Sequence, residues 1–559
     1  MKLRTMLFGA VDRQIMLFFT AALMALVFPA QTNLTTLFLH RQDLVLLGLG
    51  LVLLLACCWR LKPNSVPLAG HRLLLPGAAL VLVLVCLVGH YLVLCGYDMS
   101  RDEQMASFDA AVFRSGHLVQ SLPVFWRDSA DALNTLFMYP AAARGAWISA
   151  YLPGNAMLHA LAGSLTGPVL AAVGLVALWH CVRRILPDDR ELPVVALALY
   201  VGTGQIVLTG MTTYAMNGHL ALNLVWLWLF LGDRRRSDVL ALLVGFCATG
   251  LHQPLMHPMF AAPVLCLCLL NRQWHRVALF GIGYALIGAF WLWWPGWMWE
   301  LVQVDPHAVP PEGVDYLSRL IQTVRDGGVG RLPYMMANLL RFAAWQHLLL
   351  LPLLIVGITK SRGNPLIVAL IAGVALTILV MAIILPYQGH GFGYRYLHGL
   401  IGNCIIIALF GWKQLGAELA FRRTLLVRAT FAGLAISLPV QAVMAHQFYA
   451  PFARASSRID TLDADYAVIN PDAAPFAQDL VLNRPDLSNR PLRLASLGMT
   501  PPLIARLCRN GARVVLVGAK PLAQIQAYFG SPTGSTESKD NAALAKTLAE
   551  AGCRVSELH

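Results

Sequence analysis

Charge is scarce in this sequence. Only 13% of its 559 residues are Asp, Glu, Lys or Arg, where a soluble chain carries about 25%. With 57% hydrophobic residues and a mean hydropathy of +0.62, this excludes an ordinary soluble globular protein. The charge is missing from repeated apolar runs of roughly 17–23 residues, each long enough to cross a ~30 Å hydrocarbon core. No Cys-x-x-Cys spacing occurs among the 11 cysteines, so no structural metal motif is signalled. There is no phosphate-binding glycine loop, and Gly518-Ala519-Lys520-Pro521 is not one. No internal repeat stands out. One charge sign is in excess: the net charge is +13. A nucleic-acid partner is nevertheless not expected, because the basic residues cluster in short connections between apolar runs, as the positive-inside rule requires.

About thirteen spans are expected, at 15–31, 43–59, 73–95, 164–182, 192–211, 215–232, 238–254, 256–270, 275–295, 343–359, 365–386, 397–415 and 425–446. One set of connections holds Lys2, Arg4 and Arg13, Arg183 and Arg184, the Arg234-Arg235-Arg236 run, and Lys413 with Arg422 and Arg423. The alternate connections are nearly bare. The N-terminus is therefore expected in the cytoplasm, with loops 96–163 and 296–342 and the C-terminal tail outside. MKLRTMLFGAVDRQ enters its apolar run without a small-residue cleavage site, so the first span is expected to be retained. The expected fold class is an all-α polytopic membrane protein, with a transmembrane domain at 1–446 and a small periplasmic α/β domain at 447–559. In that tail DADYAVI, PLRLASL and ARVVLVG read as strands. TPPLIARLCRNG and ESKDNAALAKTLAEAG read as helices, and SPTGSTESKDN as a flexible loop. Nine cysteines lie in apolar runs and read as small buried residues. Cys508 and Cys553 lie in the tail, and can pair there only in an oxidising compartment. The Arg-rich, Lys-poor composition suggests a bacterial genome of high GC content, so "outside" is expected to be the periplasm of an inner-membrane protein.

Residues 97–117, YDMSRDEQMASFDAAVFRSGH, follow the third span. Ser100 and Glu103 fit a capping box, and acids favour the positive end of a helix dipole. That cap does not need Asp102. Met105, Phe108, Val112 and Phe113 share one side of the ensuing helix, and Gln104, Ser107, Asp109 and Arg114 tend to the other. The spacing predicts an amphipathic helix lying in the membrane interface. SADALNTLFMYPAAARGAWISAYLP reads as a second interfacial segment, and WLWWPGWMW (291–299) as an aromatic interface belt.

DEQMASFDAAVFRSGHLVQSLPVFW and ISAYLPGNAMLHALAG resemble the first external loop of the polytopic C-type glycosyltransferases. The bacterial relatives of protein O-mannosyltransferases and lipid A aminoarabinose transferases are the most similar. Asp102-Glu103 matches that family's acid pair, Ser115-Gly116-His117-Leu118 its turn, and Tyr151-Leu152-Pro153-Gly154 its return to the membrane. FGYRYLHGLIGN (392–403) resembles its Gly-x-Arg-Tyr opening of a late span. The family's Lys-Pro-Pro signature is absent. The resemblance implies sugar transfer from a polyprenyl-phosphate donor to a lipid, glycan or protein acceptor at the periplasmic face. Membrane lipids are the other expected partners.

Such chemistry needs a carboxylate to take a proton or hold a metal, and cations to stabilise the leaving phosphate. Asp102 and Glu103 are the catalytic candidates, and both are possible ligands for a divalent Mg or Mn ion. Arg395, Arg144, Arg101 and Tyr394 are candidates for the donor phosphate, arginine because its fork matches phosphate oxygens. His252, His257, His219 and His390 are candidates to line a polar cavity, beside the reading of each as a hydrogen-bonded structural histidine. Three rival classes remain: a lipid-linked glycan flippase or transporter, marked by charged or broken helices inside the membrane; an O-antigen-type polymerase or ligase; and a non-catalytic scaffold.

Overall fold

The computed structural model describes residues 2–28, 33–61, 68, 71–133, 137–305, 307–311, 314, 316–325, 331–360, 363–415, 421–530 and 535–558. The chain divides into two compact units. The first comprises Met1–Gly89, Ser164–Leu292 and Leu320–Met444, and the second His90–Gly163, Trp293–Arg319 and Ala445–His559.

The first unit is helical. Helices overlap all thirteen expected spans. Among the described residues, seven helices are long and apolar enough to cross a membrane, or eight if one bent pair counts as a span, so this is a multi-pass membrane protein. The bent pair corrects the continuous span expected at 192–211. Leu192–Val201 and Gly204–Gly210 meet at 59°. The bend lies at Gly202, where a Cβ would sit 2.4 Å from the His347 ring. The expected pair around HQPLMHP is present as two helices, Arg235–Thr249 and Met256–Leu270. The expected loop 296–342 is largely helical instead. It takes in the end of Trp274–Val302, then Tyr316–Arg325 and Arg331–Ala344. The aromatic run 291–299 therefore continues a helix through Pro295. It is only partly a belt: Trp291 is buried and donates from Nε1 to Phe246 O at 3.0 Å.

The second unit contains the helix Arg101–Arg114, here called the acid helix, and a two-residue hairpin of β1 (Gln120–Ser121) and β2 (Ala146–Trp147). It also contains a parallel sheet. β3 (Tyr466–Ile469), β4 (Leu492–Ala495) and β5 (Arg513–Val517) coincide with the expected strands, and β6 (Arg554–Leu558) was not anticipated. The order is β4-β3-β5-β6. The central strands carry nearly continuous apolar residues because both faces are covered. β6 reads RVSEL, an edge-like pattern with mostly exposed residues. A helix, Ser535–Glu550, begins inside the stretch expected to be a loop; residues 531–534 lie outside the described set. Cys508 and Cys553 form a disulfide joining the end of the helix Pro501–Cys508 to the residue before β6.

Two expectations about the 96–163 loop change. Much of the acid helix's expected polar side is buried within this unit, although Ser107 is half-buried and Arg114 exposed. Gln104 and Asp109 are buried along with Met105, Phe108 and Val112. The reason is that its polar groups have protein partners. Asp109 accepts from Ser149 N at 3.0 Å and from Ser149 Oγ at 2.5 Å. The second segment is not a long interfacial helix either. Only Ala130–Leu133 is helical before the hairpin strand β2, and residues 134–136 lie outside the described set.

Candidate functional site

The expected site residues fall into two groups, one in each unit. In the second unit Ser100 caps the acid helix as its sequence requires. Its Oγ accepts from Glu103 N at 3.3 Å, while Glu103 Oε2 accepts from Ser100 N at 3.1 Å. Glu103 is then closed in by the Tyr449 hydroxyl, which donates to both carboxylate oxygens at 3.1 and 3.0 Å. Burial, and then the nearby Asp98 carboxylate, push the Glu103 pKa upward against the bonds from Ser100 and Tyr449. Buried and bonded in this way, Glu103 has a structural part in the cap. Among the described residues, no group of three or more His, Cys, Asp or Glu side chains is arranged to hold a metal.

Arg101 also departs from its expected role. Its guanidinium is buried and engaged on every side: Nε donates to Asp479 Oδ1 at 3.1 Å, Nη1 to Val481 O at 3.0 Å, and Nη2 to Gln478 O. Each of its three nitrogens is thus bonded within the protein. Burial raises the Asp479 pKa to about 6, opposed by Arg101 and assisted by the neighbouring Asp102. Asp102 differs from Arg101, Glu103 and Gln104 in being only half-buried. The Tyr151 hydroxyl donates to its Oδ1. Among the four residues of this first turn, Asp102 alone combines a carboxylate with partial exposure. Arg144 is buried and pairs with the exposed Asp131 at 2.5 Å. Among the described residues its Nε and Nη1 find no acceptor.

In the first unit Arg395 opens the 3-10 turn Arg395–Leu400. Its guanidinium carbon lies 5.2 Å from the Tyr214 ring centroid and 5.7 Å from that of Tyr396. Its backbone is set by amides that the sequence did not single out. Gln388 Oε1 accepts from Arg395 N at 2.8 Å, and Gln388 Nε2 donates to Gly393 O at 2.9 Å. Gln205 Nε2 donates to Tyr394 O at 2.9 Å, and Gln346 Nε2 to Gln205 Oε1 at 2.7 Å. Arg341 was expected in an external loop but lies in the helix Arg331–Ala344, stacked 4.2 Å from the Phe38 ring centroid and donating to Gly391 O. Gly391 and Gly393 have φ of +129° and +62°. A Cβ on Gly391 would come within 2.4 Å of Arg395 Cδ, so glycine there is what lets the arginine fold back over its own loop. Tyr394 is fully buried, and its hydroxyl has no partner among the described residues.

The histidines cluster in part. His219 interacts electrostatically with His252, His257 and His398. His257 is a structural histidine, bonded to Asn223 Oδ1 at 2.8 Å and to the Tyr284 hydroxyl at 2.7 Å. His398 Nε2 is bonded to Asn217 Oδ1 at 2.6 Å. Both ring nitrogens of His219 are buried without a partner among the described residues. His390 is buried, and His252 half-buried.

No protein-family model and no curated protein matches the sequence. The fold is similar to that of ArnT from Cupriavidus metallidurans bound to undecaprenyl phosphate, with a TM-score of 0.50 at 13% identity over 84% of this chain and 91% of that one. ArnT from the same organism in the apo state aligns over 84% and 90% at 11% identity, with a TM-score of 0.48. The bound structure establishes an ArnT-like fold, the architecture that the acid-loop resemblance implied.

Proposed function

We propose that this chain transfers a sugar from a polyprenyl-phosphate donor to an acceptor hydroxyl at the periplasmic face of a bacterial inner membrane. The observation that carries the reading is the division of roles in the first turn of the acid helix. Arg101, Glu103 and Gln104 are held by structural bonds inside the unit, and Asp102 is half-exposed, with the Tyr151 hydroxyl donating to its Oδ1. The ArnT structure contains undecaprenyl phosphate, which supports a lipid-phosphate carrier here. The Cys508–Cys553 disulfide supports an oxidising compartment for the tail, in agreement with the charge distribution of the connections.

In this reading Asp102 accepts the proton of the acceptor hydroxyl as its oxygen bonds to the anomeric carbon. The bond from that carbon to the phosphate oxygen breaks, with inversion, and polyprenyl phosphate leaves with the electron pair. Arg395 is the candidate phosphate contact of the helical unit, with Gln388 bonding its backbone and the Tyr214 and Tyr396 rings beside its guanidinium, and Arg144 that of the second unit. No metal is assigned a step.

The 59° break is a feature that favours a transporter. Gln205, just past the break, instead supports the loop bearing Arg395. The test is the fate of a labelled polyprenyl-phosphate sugar in vesicles containing the purified protein. The transferase reading expects free polyprenyl phosphate to appear in step with label on a lipid, glycan or protein. Movement of intact donor across the bilayer without cleavage would establish the rival.

A further inference from the structure

The tail segment Gln478–Val481 grips the acid helix around Asp102. Arg101, immediately before Asp102, is bonded to Gln478 O, Asp479 Oδ1 and Val481 O. Gln104, one residue past the acid pair, donates from Nε2 to Asp479 O at 2.8 Å. The segment is itself anchored. Arg493 of β4 donates from Nη1 to Leu480 O at 3.0 Å and from Nη2 to Asp460 Oδ1 at 2.6 Å. Asn483 Nδ2 donates to Leu133 O and Arg493 O, both at 2.8 Å. A continuous chain of bonds therefore runs from the sheet, through Asp479 and Arg101, to the turn that bears Asp102.

The Asp479 and Asp102 carboxylates are close enough to repel each other. Arg101 neutralises Asp479, and the Tyr151 hydroxyl draws Asp102 on its Oδ1. Asp102 is thus bonded to Tyr151 and lies within electrostatic reach of the tail carboxylate that Arg101 balances. If the tail served only as a cover, it would not need a buried ion pair at this turn, since apolar packing of similar volume is often as stabilising.

We propose that Asp479 is a positioning residue, through which the C-terminal tail fixes the first turn of the acid helix and aims the Asp102 carboxylate. The proposal rests on the reading of Asp102 as the base. It assigns the tail a part in the chemistry rather than in recruiting a partner.

The experiment measures kcat and donor KM for the full-length protein in vesicles, with thermal unfolding midpoints alongside. Asp479→Ala is expected to lower kcat about tenfold or more, with donor KM within about twofold, because small misplacements of a catalytic group cost rate rather than affinity. That substitution strands the buried Arg101 charge and can prevent folding. The second variant therefore combines Arg101→Met with Asp479→Leu, which removes both charges. A double variant with the wild-type midpoint, reduced kcat and unchanged KM supports the proposal. Wild-type kcat in a folded double variant overturns it, as does a loss confined to KM. Asp102→Asn is the control. If it is inactive while the double variant runs at full speed, only the positioning role falls. If Asp102→Asn is fully active, the base assignment falls and the positioning role with it.

Discussion

The Arg101 turn of the second unit and the Arg395 loop of the first hold a charged side chain in opposite ways. In the second, charge is set by charge: Arg101 by Asp479, and Asp102 between Asp479 and a hydroxyl. In the first, Arg395 sits in a frame of neutral amides and aromatic rings, with Gln388, Gln205 and Gln346 bonding the loop backbone or one another. The difference follows from the surroundings. Ionisable groups among membrane helices are costly, and the Arg395 loop is oriented by amide dipoles, while the same unit encloses the Arg276–Asp238 pair elsewhere. The mixed α/β unit can enclose ion pairs whose partners come from far along the chain.

The comparison can be broken most sharply by deleting one partner on each side. Asp479→Ala leaves Arg101 buried and uncompensated, and should cost about 3–5 kcal/mol of stability in the second unit. Gln388→Ala removes two neutral bonds and should cost the first unit only about 1–3 kcal/mol. Denaturant unfolding with a probe in each unit would check both, and equal losses would erase the distinction. Arg395→Ala should weaken donor binding about 10–100-fold, as expected for hydrogen bonds to a charged group. An unchanged donor affinity would remove Arg395 from the site. Ser100→Ala, which deletes one half of the capping box, should cost about 1 kcal/mol. Thermal unfolding of the second unit measures this directly.

The smallest effect is a pH slope. Burial pushes the Asp109 pKa up to about 7, against the bonds from Ser149 that favour its charged form. The unfolded value is about 3.9. Between the two the native state binds more protons than the unfolded one, so stability should fall as pH rises from about 4 to 7 and then level off. Asp109→Asn should reduce that slope in a series of unfolding midpoints, leaving the part that the raised Glu103 and Asp479 carboxyls contribute.

How much the sequence revealed depended on distance along the chain. The helices were legible because apolar runs are local signals, and Ser100 with Glu103 was legible because a capping box spans four residues. Arg101 was misread because its partner Asp479 is 378 residues away. Gln205 and Tyr394 are 189 apart, and a lone glutamine has no spacing signature. The break at Gly202 was not legible because the residue packed against it, His347, lies far along the chain, in the turn between Arg331–Ala344 and Leu350–Lys360. The buried polar side of the acid helix looked water-facing because periodicity separates polar from apolar residues, and cannot tell a polar residue with a protein partner from one in water. The setting of Asp102 lay between these cases. The cap made it superfluous for folding, but only the packing of its neighbours shows that it alone of that turn stays half-exposed.

The most direct test is Asp102→Asn, assayed in vesicles for transfer from a labelled polyprenyl-phosphate sugar, with donor binding measured on the same preparation. Loss of a general base should cut the transfer rate by about 10²–10⁴-fold. Donor affinity and the unfolding midpoint should stay near those of the wild type, since the cap and the Arg101–Asp479 pair are untouched. A folded, donor-binding Asp102→Asn protein that transfers sugar at the wild-type rate would contradict the account.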